Sequence, residues 1–400
     1  MKGKPLEKTN RLVAFLILWI CTGVLWAESA DTSATKTEAD DFQRFSALPI
    51  LGYTEETGLE YGAMLLLFFK PEYTGGKTSM VDLAVIGTAK KQLEVLIVPR
   101  YYFYRDRIIG EAGFVYDNWV SHYYGISNDP DLDDGRTFDR NTFKVTNTTL
   151  TNLGLPKAWS NFTYGPSLHV EYTGIDFRKY DGAIAEPETD KKLRTGLGYR
   201  LAYDTRDNKN WARHGFYAHW NHLFFTDMMG DCEFTRQELD LRGYTFLFWK
   251  TSMAVAALWQ RTDGDVPFDM LAGPDGKSRF RGVEDRFFRG DQALLLQTEL
   301  RKVLFWRLAG TIFFEGGKAG DYFSDLRREK WHQSVGFGGE LGLNMKESLY
   351  ARGDISWVDY ESIGLTIYIR QAFERRPFGR SRIKRQTRAK GPRSLYFEIE

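Results

Sequence analysis

The sequence has 400 residues with a formal net charge of +1, 15% aromatic residues and 38 glycines. A chain so close to neutrality has no general electrostatic attraction for nucleic acid, so nucleic acid is not an expected partner. Only two cysteines occur, at positions 21 and 232. The first lies in an apolar leader, so Cys232 has no partner for an internal disulfide in the mature chain.

The chain begins with a basic stretch, MKGKPLEKTNR, an apolar run from Leu12 to Ala27, and then a polar segment. This order is typical of a secretory signal peptide, with cleavage after Ala27 or Ala30. The apolar run is 16 residues long, which is shorter than the ~20 residues of a membrane-spanning helix. The sequence therefore predicts a signal peptide over 1–27 and a short periplasmic segment over 28–45.

Many later segments alternate between charged and apolar residues, as strands with two different faces do. In ALLLQTELR, the residues Gln297, Glu299 and Arg301 fall on one face and leucines on the other, and KLRTGLGYRLAYD and TRQELDLRGY repeat this parity. The charged faces carry both signs, as a water-filled interior does, and aromatic residues gather near the ends of the apolar faces, as lipid interfaces favour. With no spanning helix after the leader, a closed barrel is the remaining way to cross a membrane.

Counting such segments gives sixteen strands, an even number as outer-membrane barrels require. They are predicted near 47–53, 57–69, 77–88, 91–104, 107–118, 141–156, 162–175, 191–205, 215–227, 232–248, 251–262, 292–303, 307–315, 333–345, 349–358 and 363–373. Short turns, such as those at 105–107 and 250–251, alternate with longer connections at 119–140, 176–190, 263–291 and 316–332. Because short turns face the periplasm, the start of the first strand and the end of the last strand are both predicted to be periplasmic.

The fold predicted from these features is all-β: a 16-stranded antiparallel transmembrane β-barrel over 46–373, in the bacterial outer membrane. Beyond Phe373 the chain continues for 27 residues with nine Lys or Arg and three Glu. Such a charge-rich tail, broken by proline and glycine, is predicted to be disordered over 374–400. Outer-membrane lipids are the expected surroundings of the barrel.

The segment RFRGVEDRFFRGD, at 279–291, falls in the sixth external loop, between predicted strands eleven and twelve. Here the chain resembles the bacterial surface-antigen barrels of the BamA/TamA type, whose sixth loop folds back into the lumen. The loop tip of that family carries a Val-Arg-Gly-aromatic signature, matched loosely by Phe280, Arg281 and Gly282. The loop arginine pairs in the family with the acid of a Phe-x-Asp-x-Gly element on strand thirteen, where this sequence has FFEGG with Glu315 in place of Asp.

The resemblance implies a lumen lock, by which we mean Phe280, Arg281 and Gly282 of the loop held by Glu315, with Asp354 as a weaker candidate on strand fifteen. A guanidinium suits a carboxylate because two parallel hydrogen bonds can form. As a solvated surface pair the same contact would contribute only ~0–1 kcal/mol. The lock therefore depends on shielding from water.

Further similarities extend this resemblance over about 45–373. YDTRDNKNWARHG resembles the family's turn between strands eight and nine, and PILGYTEETGLEYGA resembles its first hairpin. HYYGISND resembles its third loop, and GLTIYIRQAF resembles its C-terminal targeting strand, which ends here in Phe373. Most relatives carry periplasmic POTRA domains before the barrel, and the segment 28–45 is too short for one. The resemblance thus implies a barrel-only member, with a separate periplasmic delivery protein as a candidate partner.

The function that the resemblance implies is insertion or translocation of a protein or lipid client through a weak seam between the first and last strands. Pro49 supports a weak seam, because proline lacks a backbone donor and is tolerated at sheet edges; Phe373 ends the opposite strand. Two alternatives stay open: a passive diffusion channel, and an outer-membrane lipase using Ser167 and His169 on one face of strand seven. The sequence has no nucleophile motif and predicts no catalytic residue, cofactor or metal.

Overall fold

The computed structural model describes residues 44–54, 58–71, 73–131, 134–274, 279–284, 286–345, 348–359, 362–369 and 384–385. The predicted signal peptide, most of the segment before the first strand, and Phe373 lie outside these described residues. Within them, no helix has the length and apolar character that crossing a membrane requires.

Sixteen long strands make up most of the described chain. They are β1 Phe45–Thr54, β2 Gly58–Phe69, β3 Ser79–Thr88, β4 Leu93–Phe103, β5 Ile108–Tyr123, β6 Arg136–Thr151, β7 Phe162–Phe177, β8 Leu193–Asp204, β9 Gly215–Phe225, β10 Phe234–Phe246, β11 Thr251–Gly264, β12 Gln292–Phe305, β13 Leu308–Gly320, β14 His332–Asn344, β15 Leu349–Val358 and β16 Ser362–Ile369. Three single-turn 3-10 helices, Lys157–Trp159, Asp227–Met229 and Asp325–Arg327, lie in connections.

Each strand pairs antiparallel with the next along the chain, from β1–β2 through β15–β16. The predicted all-β class and the order of sixteen antiparallel strands are therefore confirmed. Among the described residues, no ladder joins β1 to β16, so closure of the sheet into a barrel stays a prediction. Lys384 and Arg385, inside the tail predicted to be disordered, form a two-residue strand, β17, that pairs with Ser362 and Ile363 of β16.

Several strands extend further than the sequence predicts; β13 runs to Gly320 rather than 315, and the largest differences elsewhere are at the loop edge of β5 and β6. The ladder between β5 and β6 continues from Trp119, opposite Arg140, to Tyr123, opposite Arg136. The connection between them is therefore 124–135 rather than 119–140. Residues 136–140 of β6 are mostly polar, so they lack the alternation of apolar residues by which a strand is recognised in the sequence. The backbone ladder does not depend on that alternation and continues through them.

The predicted difference between the two faces is confirmed. On β12, the residues Gln297, Glu299 and Arg301 are buried, whereas Leu296 is 43% exposed. We call the first of these faces the inner face and the second the outer face. Arg301 also donates a hydrogen bond to the carbonyl oxygen of Ala212, in the connection after β8, over 3.3 Å. The sheet therefore curves so that distant parts of its inner face meet.

The connections form two edges of the sheet. The turn edge carries 104–107, 247–250, 306–307 and 345–348, and also the connection 205–214 between β8 and β9. The loop edge carries the longer connections 124–135, 178–192, 265–291 and 321–331. The lumen-lock residues Phe280, Arg281 and Gly282 belong to the connection 265–291.

Candidate functional site

Aromatic residues of the β11–β12 connection pack against the inner face of the sheet. Phe280 is fully buried in a cluster whose other members are Tyr124, Leu258, Val283, Phe287, Phe288, Leu295, Ala319 and Val358. Gly317 on β13 leaves room for this ring, because a Cβ there would lie 2.8 Å from it. Burial of a phenylalanine contributes about 1.5–3 kcal/mol, so apolar packing alone gives this connection a strong preference for the inner face.

Arg281 makes charged contacts with residues of β12, β13 and β15. Its backbone N–H donates to Glu315 Oε2 over 2.8 Å, and its Nε donates to Glu315 Oε1 over 2.7 Å. Its Nη1 donates to Glu299 Oε2 over 2.7 Å and to Asp354 Oδ2 over 3.3 Å. The guanidinium also lies 3.4 Å from the centroid of the Phe313 ring. The structure thus brings together the predicted loop arginine with both predicted acids.

Glu299 is the shared carboxylate of this site. It accepts hydrogen bonds from Arg281, from Arg352 Nη2 over 2.6 Å, and from Arg301 Nε. Arg352 in turn donates through Nε to Asp354 Oδ1 over 2.8 Å and through Nη1 to Glu340 over 3.1 Å. Each buried guanidinium therefore shares carboxylates with its neighbours, which is how charges in a dry site avoid an unpaired burial cost.

A second ion pair fixes the residue before Phe280. Arg279 donates through Nη2 to Asp240 Oδ1 over 3.0 Å and through Nε to Gln297 Oε1 over 3.0 Å. Gln297 Nε2 donates to Glu315 Oε1 over 2.8 Å, so it links this pair to Arg281. The loop tip is thus held by β10, β12 and β13 at once.

Gly282 has no room for a side chain. Its φ is +81°, a conformation that side-chain-bearing residues rarely adopt, and a Cβ there would lie 2.2 Å from Ser356 Oγ on β15. A Cβ on Gly364 of β16 would lie 2.5 Å from the Cα of Gly282. Glycine is therefore required where the loop tip meets the last strands of the sheet.

The connection 205–214 reaches the same charged site from the turn edge. Asn208 Oδ1 accepts hydrogen bonds from the N–H groups of Asn210 and Trp211 over 2.8 and 2.9 Å, which curls the segment. The Trp211 indole then donates to Glu340 Oε2 over 2.6 Å and stacks on Tyr350, with centroids 5.1 Å apart. Since Glu340 pairs with Arg352, this turn and the loop tip bind one continuous set of charges.

The packing of the connections shifts the pKa values of two ionisable groups, Tyr124 and Arg206. Burial, reinforced by the neighbouring Glu284 carboxylate, raises the pKa of the Tyr124 hydroxyl well above its usual range. The hydroxyl donates to Glu284 Oε2 over 2.9 Å, so a residue of β11–β12 is bound by the loop-edge connection after β5. Burial lowers the pKa of Arg206, but its bidentate pair with Asp204 more than offsets this and raises the pKa above its usual range.

The inner face beside the loop encloses a cavity of about 430 Å³. Its walls come from β3 to β11 and carry charges of both signs, such as the pair between Arg100 Nε and Glu111 Oε1 at 3.0 Å. Ser167 and His169 line it but do not bond to each other. Ser167 Oγ contacts Thr148 and Asn221, and His169 Nε2 contacts Glu171.

Of the two predicted seam residues, the structure describes only Pro49. Pro49 is exposed on β1, opposite Ala63 of β2, and Phe373 lies outside the described residues. Sequence reasoning did not assign Glu299, Glu340, Trp211 or the Arg279–Asp240 pair to the site. Strand parity had placed Glu299 and Asp240 on the charged face, but only the folded loop shows which cations they meet.

Comparisons with known proteins agree with this architecture. A profile of the Omp85 superfamily domain matches residues 102–345. BamA from Haemophilus ducreyi lacking POTRA domains 1-3 is similar in structure, with a TM-score of 0.50 and 13% sequence identity over 86% of this chain and 69% of that one. CdiB from Acinetobacter baumannii has a TM-score of 0.50 and 11% identity over 79% of this chain and 56% of its own. A search of curated proteins gave no match.

Proposed function

Because the chain belongs to the Omp85 superfamily and is a protein of the bacterial outer membrane, we propose that its sixteen strands close into a barrel that inserts or moves a protein or lipid client. In this proposal β1 and β16 form the seam, and the β11–β12 connection is the sixth external loop, folded into the lumen. The turn edge then faces the periplasm. The observation that carries the proposal is the fully buried set of charges around Arg281 and Glu299.

The lumen lock in this proposal blocks a continuous pore through the barrel while leaving the seam weak. The loop tip fills the inner face next to β12 and β13, and the turn 205–214 covers the same charges from the periplasmic side. Neither the loop tip nor the turn 205–214 depends on a backbone hydrogen bond between β1 and β16 to stay in place. A client could therefore pass at the seam without an open pore through the lumen.

Several features support a weak seam. β15, the strand that pairs with β16, has ten residues, whereas β5, β6 and β7 have sixteen each. Pro49 removes one donor from β1. A ladder along a short strand opens at a lower cost than one along a long strand.

Cross-linking the seam tests the insertase or translocase role. In a Cys232→Ser background, Ala47→Cys on β1 is combined with a single cysteine at each position from 362 to 369 on β16, and the pair that forms a disulfide is used. Activity is measured as insertion of an outer-membrane protein, or transfer of labelled phospholipid, in vesicles containing the purified protein. We expect the oxidised pair to abolish activity and reduction to restore it.

The matched control ties two strands away from the seam. Ala63→Cys and Val85→Cys stand opposite each other on β2 and β3, and their disulfide should leave activity unchanged. Full activity of the oxidised seam variant would contradict the proposal, because the client would then not need β1 and β16 to separate.

A passive diffusion channel is the second candidate, and the lumen cavity of about 430 Å³ favours it. A diffusion channel would show a steady ionic conductance, whereas an insertase or translocase whose lumen is locked would not. An enzymatic role has less support. Ser167 contacts Thr148 and Asn221 rather than His169, so the lipase alternative has no base beside its nucleophile.

A further inference from the structure

The last long strand, β16, has two edges, and β15 pairs with one of them. This ladder runs along the whole of Ser362–Ile369. Its first two residues, Ser362 and Ile363, also pair with β17, the strand Lys384–Arg385. Because a residue in a sheet has one neighbouring strand on each side, β17 lies on the edge of β16 away from β15. In the proposed barrel this is the edge that β1 must meet.

β17 lies at the loop-edge end of β16. Since β15 begins after the turn-edge connection 345–348, β16 runs from the loop edge at Ser362 to the turn edge at Ile369. β17 is antiparallel to it. The way back along β16 from Ile369 to the level of β17 is about 20 Å, at ~3.3 Å per residue. The residues 370–383 are fourteen in number, which is ample length for that return.

The sequence of β16 is one that pairs readily with another strand. SIGLTIYI, at Ser362–Ile369, has no charged residue and three isoleucines. An uncharged, β-branched strand whose backbone N–H and C=O groups are open on one side is a template for strand addition. β17 consists of a lysine and an arginine, and short, basic strands are the kind at which further pairing stops. The two sequences therefore suit an open edge and the segment that covers it.

The part of β16 that receives β17 is held from the inner face. The backbones of Gly364 and Gly282 are in contact, since a Cβ on Gly364 would lie 2.5 Å from the Cα of Gly282. Ser356 of β15 also donates through its hydroxyl to the carbonyl oxygen of Gly364 over 3.3 Å. The neighbouring Ile363 is thus kept in place without any contact to β1. An edge that is already ordered loses little conformational entropy when a strand adds to it.

We propose that β17 is a built-in cover of the seam, which must leave before β1 or a client strand pairs with Ser362 and Ile363. Its binding comes from main-chain hydrogen bonds, as in other cases of strand addition to a sheet edge. A ladder of two residues is weak, so a longer client strand displaces it. The inference rests on the proposed seam between β1 and β16, and it gives the segment after the barrel strands an autoinhibitory role.

Disulfide cross-linking in reconstituted vesicles tests the pairing itself. In a Cys232→Ser background, cysteines replace each opposed pair in turn, 362 with 385 and 363 with 384. Opposed Cβ atoms in a ladder lie ~4.5–5.5 Å apart, so we expect rapid oxidation of at least one pair. The matched control combines Ile363→Cys with Ala389→Cys, five residues further along the same segment, and should oxidise slowly. Equal yields, or no disulfide at either opposed pair, would contradict the proposal, because a segment without a fixed partner favours no register.

Proline substitution tests the autoinhibitory role. Lys384→Pro/Arg385→Pro removes the backbone donors of β17, whereas Lys384→Ala/Arg385→Ala removes its charges and keeps the donors. We expect the proline variant to insert protein or transfer phospholipid about threefold to tenfold faster, the factor for the loss of one net hydrogen bond, and the alanine variant to match the unmodified protein.

An unchanged rate in the proline variant, or an equal rise in the alanine variant, would overturn the inference, because the second result would assign the effect to charge. The cross-linking readout keeps this inference separate from the proposed function. If the unmodified protein moves no client, the proposed function fails, and the disulfide yields still decide whether β17 covers β16.

Discussion

Arg281→Ala is expected to convert a closed lumen into a conducting one. The guanidinium binds Glu315, Glu299 and Asp354, all of which are fully buried. Its removal leaves these carboxylates with less positive charge, and breaking a buried pair in this way costs ~3–5 kcal/mol. Since each ~1.4 kcal/mol is a factor of ten in an equilibrium, the undocked loop should become roughly two to four orders of magnitude more populated.

Single-channel recording in planar bilayers measures this directly. The unmodified protein should show rare, brief openings, and the variant long openings of high conductance. Arg261→Ala is the matched control, because that arginine is 45% exposed in its side chain and lies 3.9 Å from Asp263. Such exposed pairs contribute ~0–1 kcal/mol, so this variant should record like the unmodified protein. A large steady pore in the unmodified protein would instead support the diffusion-channel alternative.

Glu299→Gln is expected to destabilise the folded protein more than any other single replacement of an inner-face acid. Three guanidinium groups, on Arg281, Arg301 and Arg352, donate to this one carboxylate. Glutamine keeps the shape but removes the charge, so three cations are left with too few anions nearby. The expected loss is ~3–5 kcal/mol in the free energy of unfolding.

The loss can be measured as a lower urea midpoint for the shift between compact and unfolded forms on a gel run without boiling. Glu233→Gln, at an exposed position between β9 and β10, is the control and should leave the midpoint unchanged. Combining Glu299→Gln with Arg281→Met completes a double-mutant cycle. We expect the two effects not to add, because the residues are in direct contact; additive effects would mean that the two residues act independently.

The sequence predicted the strands well because one physical rule acts at every position of a membrane strand. Residues such as Gln297 and Glu299 must face away from lipid, and Leu296 must face it, so alternation alone reveals strand number and order. The same rule weakens where the sheet leaves the lipid. That is why the ends of β5 and β6 were missed, although their backbone ladder runs on to Tyr123 and Arg136.

The site was less accessible to sequence reasoning because its members come together only through the fold. The resemblance to surface-antigen barrels, now confirmed by the Omp85 profile, selected Arg281, Glu315 and Asp354. No local pattern shows that Glu299 rather than another inner-face acid is shared by three arginines. Likewise, Trp211 lies in a polar segment that reads as an ordinary turn, and its burial depends on Tyr350 and Glu340, more than a hundred residues later.

The central claim is that the outer face of the sheet meets lipid while the charged inner face borders water. Spin labels on Leu197→Cys, at a 50% exposed outer position, and on Asn221→Cys, in the wall of the cavity, test it in reconstituted vesicles. The account predicts that oxygen, which concentrates in acyl chains, relaxes the label at 197, and that a water-soluble nickel complex relaxes the label at 221. A nickel complex that reaches the label at 197 as readily as the one at 221 would contradict it.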